Sequence, residues 1–509
     1  MHYKIFVAVV TAAVGLAACG SKKSGTDKAK QDAGAGPTVA PIATPPVGVD
    51  AIKRMNFAYA DGMKDYDRAL AAYREKPRDW ATVRASCEAA IAKDAHHYDA
   101  HRVLASALAQ AGEHAAAVDH LVTALAADYF KYGPALAKDE DLVEFLATPH
   151  GTAINEVAAK IRSEYTRRLA TGLFVVGRRS AYRWPKEGVQ PSTSRGELYA
   201  FDRETRRYLR VTHTEHQVAG YVRAKTGAEL AVFGFDKIER AKGDDPTPVI
   251  ARSWLQPLDT TEWKPIGPKL QLGAARELAV GYGAGEQLLV ATAPAAGRWG
   301  IGELTVSTVD AARGKLTKGK AEVPTPRVVL SLEAGRIVRA PDGVKAAWSG
   351  EPPTTATITV EGGAAIQVPE SGAAAQSSLA LSPDRARLVF ATAVDPCAKD
   401  AAPSLYVADA KTGALKHLLT ARSRFGTRWL DATTLAYEDG DGAIRVWDAT
   451  TGREALRLEN KPGIALDVLS LAAAPLCKQA PPVDPGGPDG VPDEPLPPEE
   501  GAGPITTPR

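Results

Sequence analysis

The chain has 509 residues, 45% of them hydrophobic and 24% charged, with a formal net charge of +2. That balance belongs to folded, water-facing domains, and the near-neutral total excludes a charge-driven partner such as nucleic acid. Length leaves room for more than one domain at roughly 100–200 residues each, and beyond Gly20 no apolar run approaches the roughly twenty residues that span a bilayer as a helix.

At the N-terminus a short basic start (His2, Lys4) precedes an unbroken apolar run from Ile5 to Ala13. The run has the proportions of a secretory signal and is too short to span a membrane. It leads into Leu16-Ala17-Ala18-Cys19. Small residues before the cysteine let a peptidase grip an extended backbone, and a thiolate suits a thioether link to lipid. Residues 1–20 resemble the lipobox signal of bacterial lipoproteins. The resemblance implies that residues 1–18 are a signal peptide and that Cys19 is acylated and becomes the new N-terminus. It also implies the cell envelope of a Gram-negative-type bacterium, with Gly20 after the cysteine directing the protein to the outer membrane. The membrane is then a partner through lipid alone, and stable anchoring needs more than one chain. A plain signal peptide cleaved near Ala18 is the alternative.

Residues 19–49 are rich in Lys, Gly, Ala, Thr and Pro. They bury too little apolar surface to offset their ordering entropy and read as a disordered tether. Residues 50–169 carry a helical period. Trp80, Val83, Cys87, Ala90 and Ile91 share one face, with Cys87 read as a small buried apolar residue. Val103, Leu104, Ala107, Leu108 and Ala111 share another, Gly112-Glu113 breaks the helix, and Ala115, Val118, Leu121, Val122 and Leu125 begin the next. Two antiparallel helices over Ala100–Ala111 and Ala115–Ala126 resemble a tetratricopeptide repeat of roughly 34 residues. Trp80–Asp94 matches the second helix of a preceding unit, and Leu142–Ile161 a terminal cap. A generic helical bundle is the alternative.

From residue 170 to 476 short strands alternate with Gly, Pro and Asp turns. One turn is Ala340-Pro341-Asp342-Gly343, echoed by Ser382-Pro383-Asp384. The other is an Asp-x-x-Thr-Gly hairpin at Asp409–Gly413 and Asp448–Gly452, with looser copies at Asp310–Gly314 and Asp202–Arg206. The Asp side chain opens a turn, and Gly takes the left-handed position that closes it. The two turns alternate with a period near 40–50 residues, the spacing of four-stranded propeller blades. The segment resembles the WD40-like, TolB-type propeller repeats of bacterial envelope proteins. Counting strand pairs gives six blades, with seven as the alternative. Ile464–Leu471 would supply the inner strand that closes the ring against Leu173–Val176. The fold expected is therefore multidomain: an all-α, tetratricopeptide-like helical domain, then an all-β propeller. A β-sandwich or open solenoid is the competing architecture. Residues 477–509 are Pro-, Gly- and acid-rich and read as a disordered tail.

Candidate chemistry is sparse. His97 and His101, with His96 nearby, have helical spacing but no HExxH glutamate, and read as surface histidines. His213 and His216 lack a third ligand. Gly281, Gly283 and Gly285 join two strands with no helix to cradle a phosphate. Glu438–Gly442 lacks the ligand series of a calcium loop. No nucleophile elbow occurs. No metal, cofactor or catalytic residue is expected. Cys397 and Cys477 are candidates for a disulfide in an oxidising compartment. They leave from opposite ends of the expected ring, which counts against the bond, while a tail folding back would permit it.

The long insertions, in contrast, share one place in successive blades, between the second and third strands. They are Tyr182–Ser194, Lys242–Pro248, Pro294–Gly302, Glu351–Thr354 and Asp395–Pro403. Repeat proteins gather insertions on one face, often the binding face. Tyr182, Arg183, Trp184, Arg298 and Trp299 are of the types enriched at binding hot spots, although each aromatic could instead cap its own blade. The function expected is a lipid-anchored, non-enzymatic scaffold binding an envelope protein or peptide. The alternatives are a propeller-based hydrolase or lyase, and a glycan or small-ligand module.

Overall fold

The computed structural model describes residues 39–54, 61–182, 193–224, 226–240, 248–275, 277–283, 286–296, 300–301, 305–319, 329–333, 336–340, 344–349, 354–369, 374–375, 379–392, 402–420, 426–439, 443–459 and 464–466. Contacts divide the chain into two compact units, Met1–Ala40 and Pro41–Arg509. Every element below belongs to the second.

Seven α-helices come first among the described residues: α1 (Met63–Arg74), α2 (Trp80–Lys93), α3 (Tyr98–Gln110), α4 (His114–Ala127), α5 (Tyr129–Leu136), α6 (Val143–Leu146) and α7 (Pro149–Thr171). Their starts follow capping chemistry. Asp79 accepts from the Thr82 N–H, Asp128 from Lys131 and Thr148 from Gly151, each satisfying an orphan donor of the first turn. The break between α3 and α4 falls at Gly112-Glu113, as the sequence requires. Cys87 is buried, as expected, and desolvation pushes its thiol up to about 12. The helical run expected over Leu142–Ile161 is instead interrupted before Pro149. Proline has no N–H to donate and takes the first helical position. From there α7 continues to Thr171 and leads directly into the first strand.

The strands form antiparallel meanders. A nine-stranded sheet is two meanders joined by the single pair Gly196↔Val218. The first runs Ile464–Ala465, Leu173–Tyr182, Thr193–Asp202, Arg207–Arg210. The second runs Val218–Arg223, Glu229–Arg240, Pro248–Asp259, then a fourth strand in two pieces, Lys264–Pro265 and Leu270–Ala275. A third comprises Glu277–Tyr282, Leu288–Ala293, Thr305–Asp310 and Lys315–Lys318. A fourth comprises Val344–Ser349, Thr354–Val360 and Ala365–Gln367, with Ala374–Ala375 beside its middle strand. The fifth is Ala380–Leu381, Arg387–Ala391, Ser404–Asp409, Leu415–Thr420. The sixth is Thr427–Trp429, Thr434–Glu438, Ile444–Asp448, Arg453–Leu458. The hairpin Val329–Glu333/Arg336–Ala340 precedes the fourth.

Two features tie these meanders to one repeat. The last described strand pairs with the first one after the helices, Val176↔Ala465 and Gly177↔Ile464, the pairing the sequence placed there. Glu438 of the sixth meander strengthens it by accepting the Leu466 N–H at 2.7 Å. The second feature is the turn between third and fourth strands. Asp202, Asp259, Asp310, Asp409 and Asp448 each accept a backbone N–H two or three residues on. A residue with positive φ then closes each turn: Arg206 (56°), Trp263 (54°), Gly314 (60°), Gly413 (75°) and Gly452 (67°); Gly362 (76°) takes the same conformation between Thr354–Val360 and Ala365–Gln367 of the fourth meander, where no aspartate opens the turn. Only glycine adopts this conformation freely; other residues lose roughly 1–2 kcal/mol. The Asp259–Trp263 copy is not legible in the sequence because Glu262 and Trp263 stand where the pattern wants threonine and glycine.

A single hydrophobic cluster runs from the helices into the first, second and sixth meanders. It takes in Leu121, Leu125, Tyr165 and Leu169 from the helices and Phe174, Leu198, Tyr199 and Phe201 from the strands. Val47, Val49 and Ile52 belong to it and are at most 3% exposed. The flexible tether expected to reach residue 49 therefore gives way to packed chain before Val47. Val49 exchanges both backbone hydrogen bonds with Tyr208 (2.9 and 2.7 Å), and Gly48 donates to the Ala126 carbonyl at 2.8 Å. A Cβ at Gly48 would stand 2.5 Å from the Tyr208 oxygen, so only glycine fits this approach.

Candidate functional site

In each meander the second-to-third connection lies at the end opposite the third-to-fourth turn, because successive strands reverse. At that opposite end the strands outrun their sheets. The first meander's hairpin extends to Tyr182↔Thr193 and the second's to Arg240↔Pro248. The third carries a further small hairpin, Ala295–Ala296 with Gly300–Ile301. In the fifth, Thr392 donates to the Ser404 carbonyl at 2.9 Å and accepts the Ser404 N–H on its hydroxyl at 2.8 Å, clamping the base of the loop.

The turn end of the first two meanders is occupied by helix. Arg168 of α7 reaches Asp202 at 3.0 Å and Glu204 at 2.6 Å in the first turn. Arg162, two turns earlier, pairs with Glu262 in the second. Arg167 and Arg168 together hold the Glu164 carboxyl down to about 2. Trp263 is buried and lies 5.8 Å from the Phe174 ring. The Tyr165 hydroxyl donates to the Arg210 carbonyl at 3.1 Å.

Beside this contact sits a buried charge cluster. Glu197 is fully buried and accepts from the Arg210 guanidinium (3.1 Å), the hydroxyls of Thr212 (2.5 Å) and Thr214 (3.1 Å), and the backbone N–H groups of Thr214 (2.7 Å) and His216 (2.9 Å). The loop so held presents His213 to Asp128, the cap of α5, with Nε2 at 2.9 and 3.0 Å from the two carboxylate oxygens. Burial disfavours the Asp128 charge, yet His213, Arg210 and Lys131 outweigh it and keep the carboxyl below its usual range. The cluster fastens helices to sheet.

His97 and His101, read from the sequence as surface residues, are 0% and 8% exposed. His97 lies just outside α3 and caps it, its Nδ1 accepting the Ala100 N–H at 3.2 Å. His101 lies inside α3, with Nδ1 at 2.7 Å from His120 Nδ1 and Nε2 at 3.2 Å from the Ala95 carbonyl. The short α2–α3 connection buries both against neighbouring helices, which spacing alone did not reveal. Gly281 and Gly283 do border a hairpin, with Gly283 N–H on the Gln287 carbonyl at 2.7 Å. Among the described residues no three His, Cys, Asp or Glu side chains are grouped to hold a metal.

Tyr182, expected in a loop, is the last residue of the first long strand and pairs with Thr193. Arg183, Trp184, Arg298 and Trp299 lie outside the described residues, as do Cys19, Cys397, Cys477 and the turn at residues 341–343. The strands on either side of these loops are described, and in the first two meanders they end opposite the turns that Arg168 and Arg162 of α7 reach.

Two cavities accompany these surfaces. One, of about 290 Å³, lies where Asp50–Ile52 meets the first and sixth meanders. The other, of about 350 Å³, is a groove between α2 and α4 floored by Leu104 and Leu108 of α3.

No protein-family model matches the chain, and no curated protein matches it. Among solved structures it is similar to TolB from Acinetobacter baumannii, with 12% identity and a TM-score of 0.35 over 61% of this chain and 70% of that one. It is also similar to the tricorn protease (12%, TM-score 0.33, 57% of this chain and 26% of that one) and to the apo AtxE2 isopeptidase (10%, TM-score 0.29, 56% and 53%). Overlaps of this size carry no functional argument. No helix among the described residues is long and apolar enough to cross a membrane.

Proposed function

We propose that the protein is a lipid-anchored scaffold of a bacterial envelope, held at Cys19, whose meanders close into a six-bladed propeller that binds a protein or peptide partner. Tetratricopeptide-like helix pairs stand at one rim of that ring. The observation that carries the reading is the division of ends. Helix α7 covers the turn end of the first two meanders through Arg168 and Arg162, while the long second-to-third loops leave from the other. The six equivalent turns and the pairing of Ile464–Ala465 with Leu173–Tyr182 support six blades and a closed ring, which removes the open sheet edges that invite aggregation. Tyr182, Arg183, Trp184, Arg298 and Trp299 would then share the rim opposite the turns that α7 reaches. The outer-membrane address rests on the sequence of residues 1–20.

The test is a crosslinking pull-down from envelope fractions with wild type and a Trp184→Ala/Trp299→Ala double variant. A defined partner captured by wild type and lost in the variant supports the scaffold; equal capture by both refutes the rim. Cys19→Ala should abolish incorporation of labelled fatty acid, and equal labelling would end the lipoprotein assignment. Copurification of a stoichiometric metal or cofactor would favour the alternative, a propeller-based hydrolase or lyase.

A further inference from the structure

The cavity at the junction of the first and sixth meanders is built from three separate stretches of chain. Ile52, Phe201, Leu458 and Ile464 form its floor, each at most 3% exposed. Charged groups line its walls, and nearly all of them are already matched. Asp50 pairs with Arg54 at 2.8 Å. Arg457 pairs with Glu459 at 2.9 Å and approaches Asp439 at 3.7 Å. The remaining wall charge is Arg206, whose guanidinium makes no ion pair or hydrogen bond with any described residue. Beside it, burial pushes the Tyr208 hydroxyl up to about 12 against the pull of Arg206, so the phenol stays protonated and able to donate.

Arg206 is also conformationally anomalous. It holds a left-handed φ of 56° at the turn position filled by glycine in four of the other five meanders. The remaining exception, Trp263, is accounted for by burial against Phe174. Arg206 is exposed, and among the described residues no contact accounts for an arginine here. Strained backbone gathers at ligand-binding sites, and here it stands at a cavity wall with no partner among the described residues.

We infer that this cavity binds a carboxylate carrying a small apolar body, with Arg206 taking the carboxylate and the Phe201–Leu458 floor taking the apolar part. A guanidinium offers a planar donor fork that matches a carboxylate. The apolar floor selects against a bare inorganic anion, which would leave it uncovered. About 290 Å³ admits roughly ten water-sized groups, the size of a blocked amino acid or the last residue of a peptide. The same chemistry is offered by a free small acid and by the C-terminus of a peptide.

The test is calorimetric titration of the full chain with N-acetyl-leucine, its neutral amide, acetyl-Ala-Ala-Leu with a free C-terminus, and inorganic phosphate. N-acetyl-leucine should bind, and its amide should bind about tenfold more weakly or less, the worth of one charge-assisted pair. Tighter binding of the tripeptide acid would identify a peptide terminus as the source, and equal or weaker binding a free acid. Arg206→Gly should remove the preference for acid over amide while melting no earlier than wild type, since glycine relieves the left-handed strain. Arg206→Lys should keep part of the preference. The inference is overturned if Arg206→Gly binds the acid as wild type does, if phosphate binds as well as N-acetyl-leucine, or if neither acid binds wild type at millimolar concentration.

Discussion

Glu197→Gln offers a direct measure of what fastens the helices to the sheets. The carboxylate is wholly buried and accepts five hydrogen bonds. Three of them, from Arg210 and the Thr214 and His216 backbone, reach Oε1, and two hydroxyls reach Oε2. A glutamine can keep its oxygen at the first position and put its NH₂ at the second. The hydroxyls of Thr212 and Thr214 can then rotate to accept. Geometry survives, but the buried Arg210 loses its closest counter-charge. Removing one partner of a buried pair costs about 3–5 kcal/mol. The rotating hydroxyls and the nearby Asp128 carboxylate place this case at the lower end, about 3 kcal/mol. Glu197→Leu, which leaves two backbone N–H groups unpaired as well, should cost more, by about 1–3 kcal/mol for each group. Urea unfolding followed by tryptophan fluorescence measures the difference. Hydrogen exchange should show residues 211–217 opening more readily than in wild type, because the hydrogen bonds that hold the loop carrying His213 are weaker without the charge. A Glu197→Gln variant within about 1 kcal/mol of wild type would refute the claim that this charge cluster holds the junction.

The other predictions concern single groups. Cys87, with its thiol raised to about 12 by burial, should resist iodoacetamide at pH 8 in the native protein and react on unfolding; peptide mapping that finds it alkylated within minutes would contradict its packing between helices. His101 is held neutral, its pKa lowered to about 4 by burial and by the facing His120. The unfolded chain therefore binds a proton that the folded one refuses as pH falls from about 6.5 to 4, and stability should drop by about 3 kcal/mol across that window. His101→Leu should flatten that part of the stability curve, and an unchanged slope would locate the titration elsewhere. Gly413→Ala forces a side chain into φ 75° and should cost about 1–2 kcal/mol, whereas no loss of stability would show that the turn can relax.

The helical half was legible where a physical rule had one solution. Gly112-Glu113 could only end a helix, and the apolar faces on either side matched α3 and α4. Burial of His97 and His101 was not legible, because a capping histidine and a surface histidine have the same spacing from their neighbours. The packing of Val47 and Val49 was hidden for a related reason. Two valines in a Pro- and Gly-rich stretch carry too little apolar surface to predict burial, and their place is set by the Tyr208 backbone and the Ala126 carbonyl, far away in sequence. The Arg206 cavity was equally out of reach, since its walls come from residues about 50, 200 and 460 of the chain.

The strength of the turn pattern along the chain has its own cause. Asp409–Gly413 and Asp448–Gly452, the clearest copies, belong to meanders whose turns make no ion pair with a described helix, so more of their stability comes from the turn itself. There the aspartate caps the turn and glycine removes the left-handed penalty. The degenerate copies, Asp202–Arg206 and Asp259–Trp263, are those that α7 grips through Arg168 and Arg162. A turn braced by a neighbouring element can carry a residue that costs it roughly 1–2 kcal/mol, provided the side chain returns something in place. Trp263 returns burial against Phe174. The sequence repeat is thus faintest where the tertiary contacts are strongest, and a turn that departs from the repeat marks a position where the side chain has a task the turn does not.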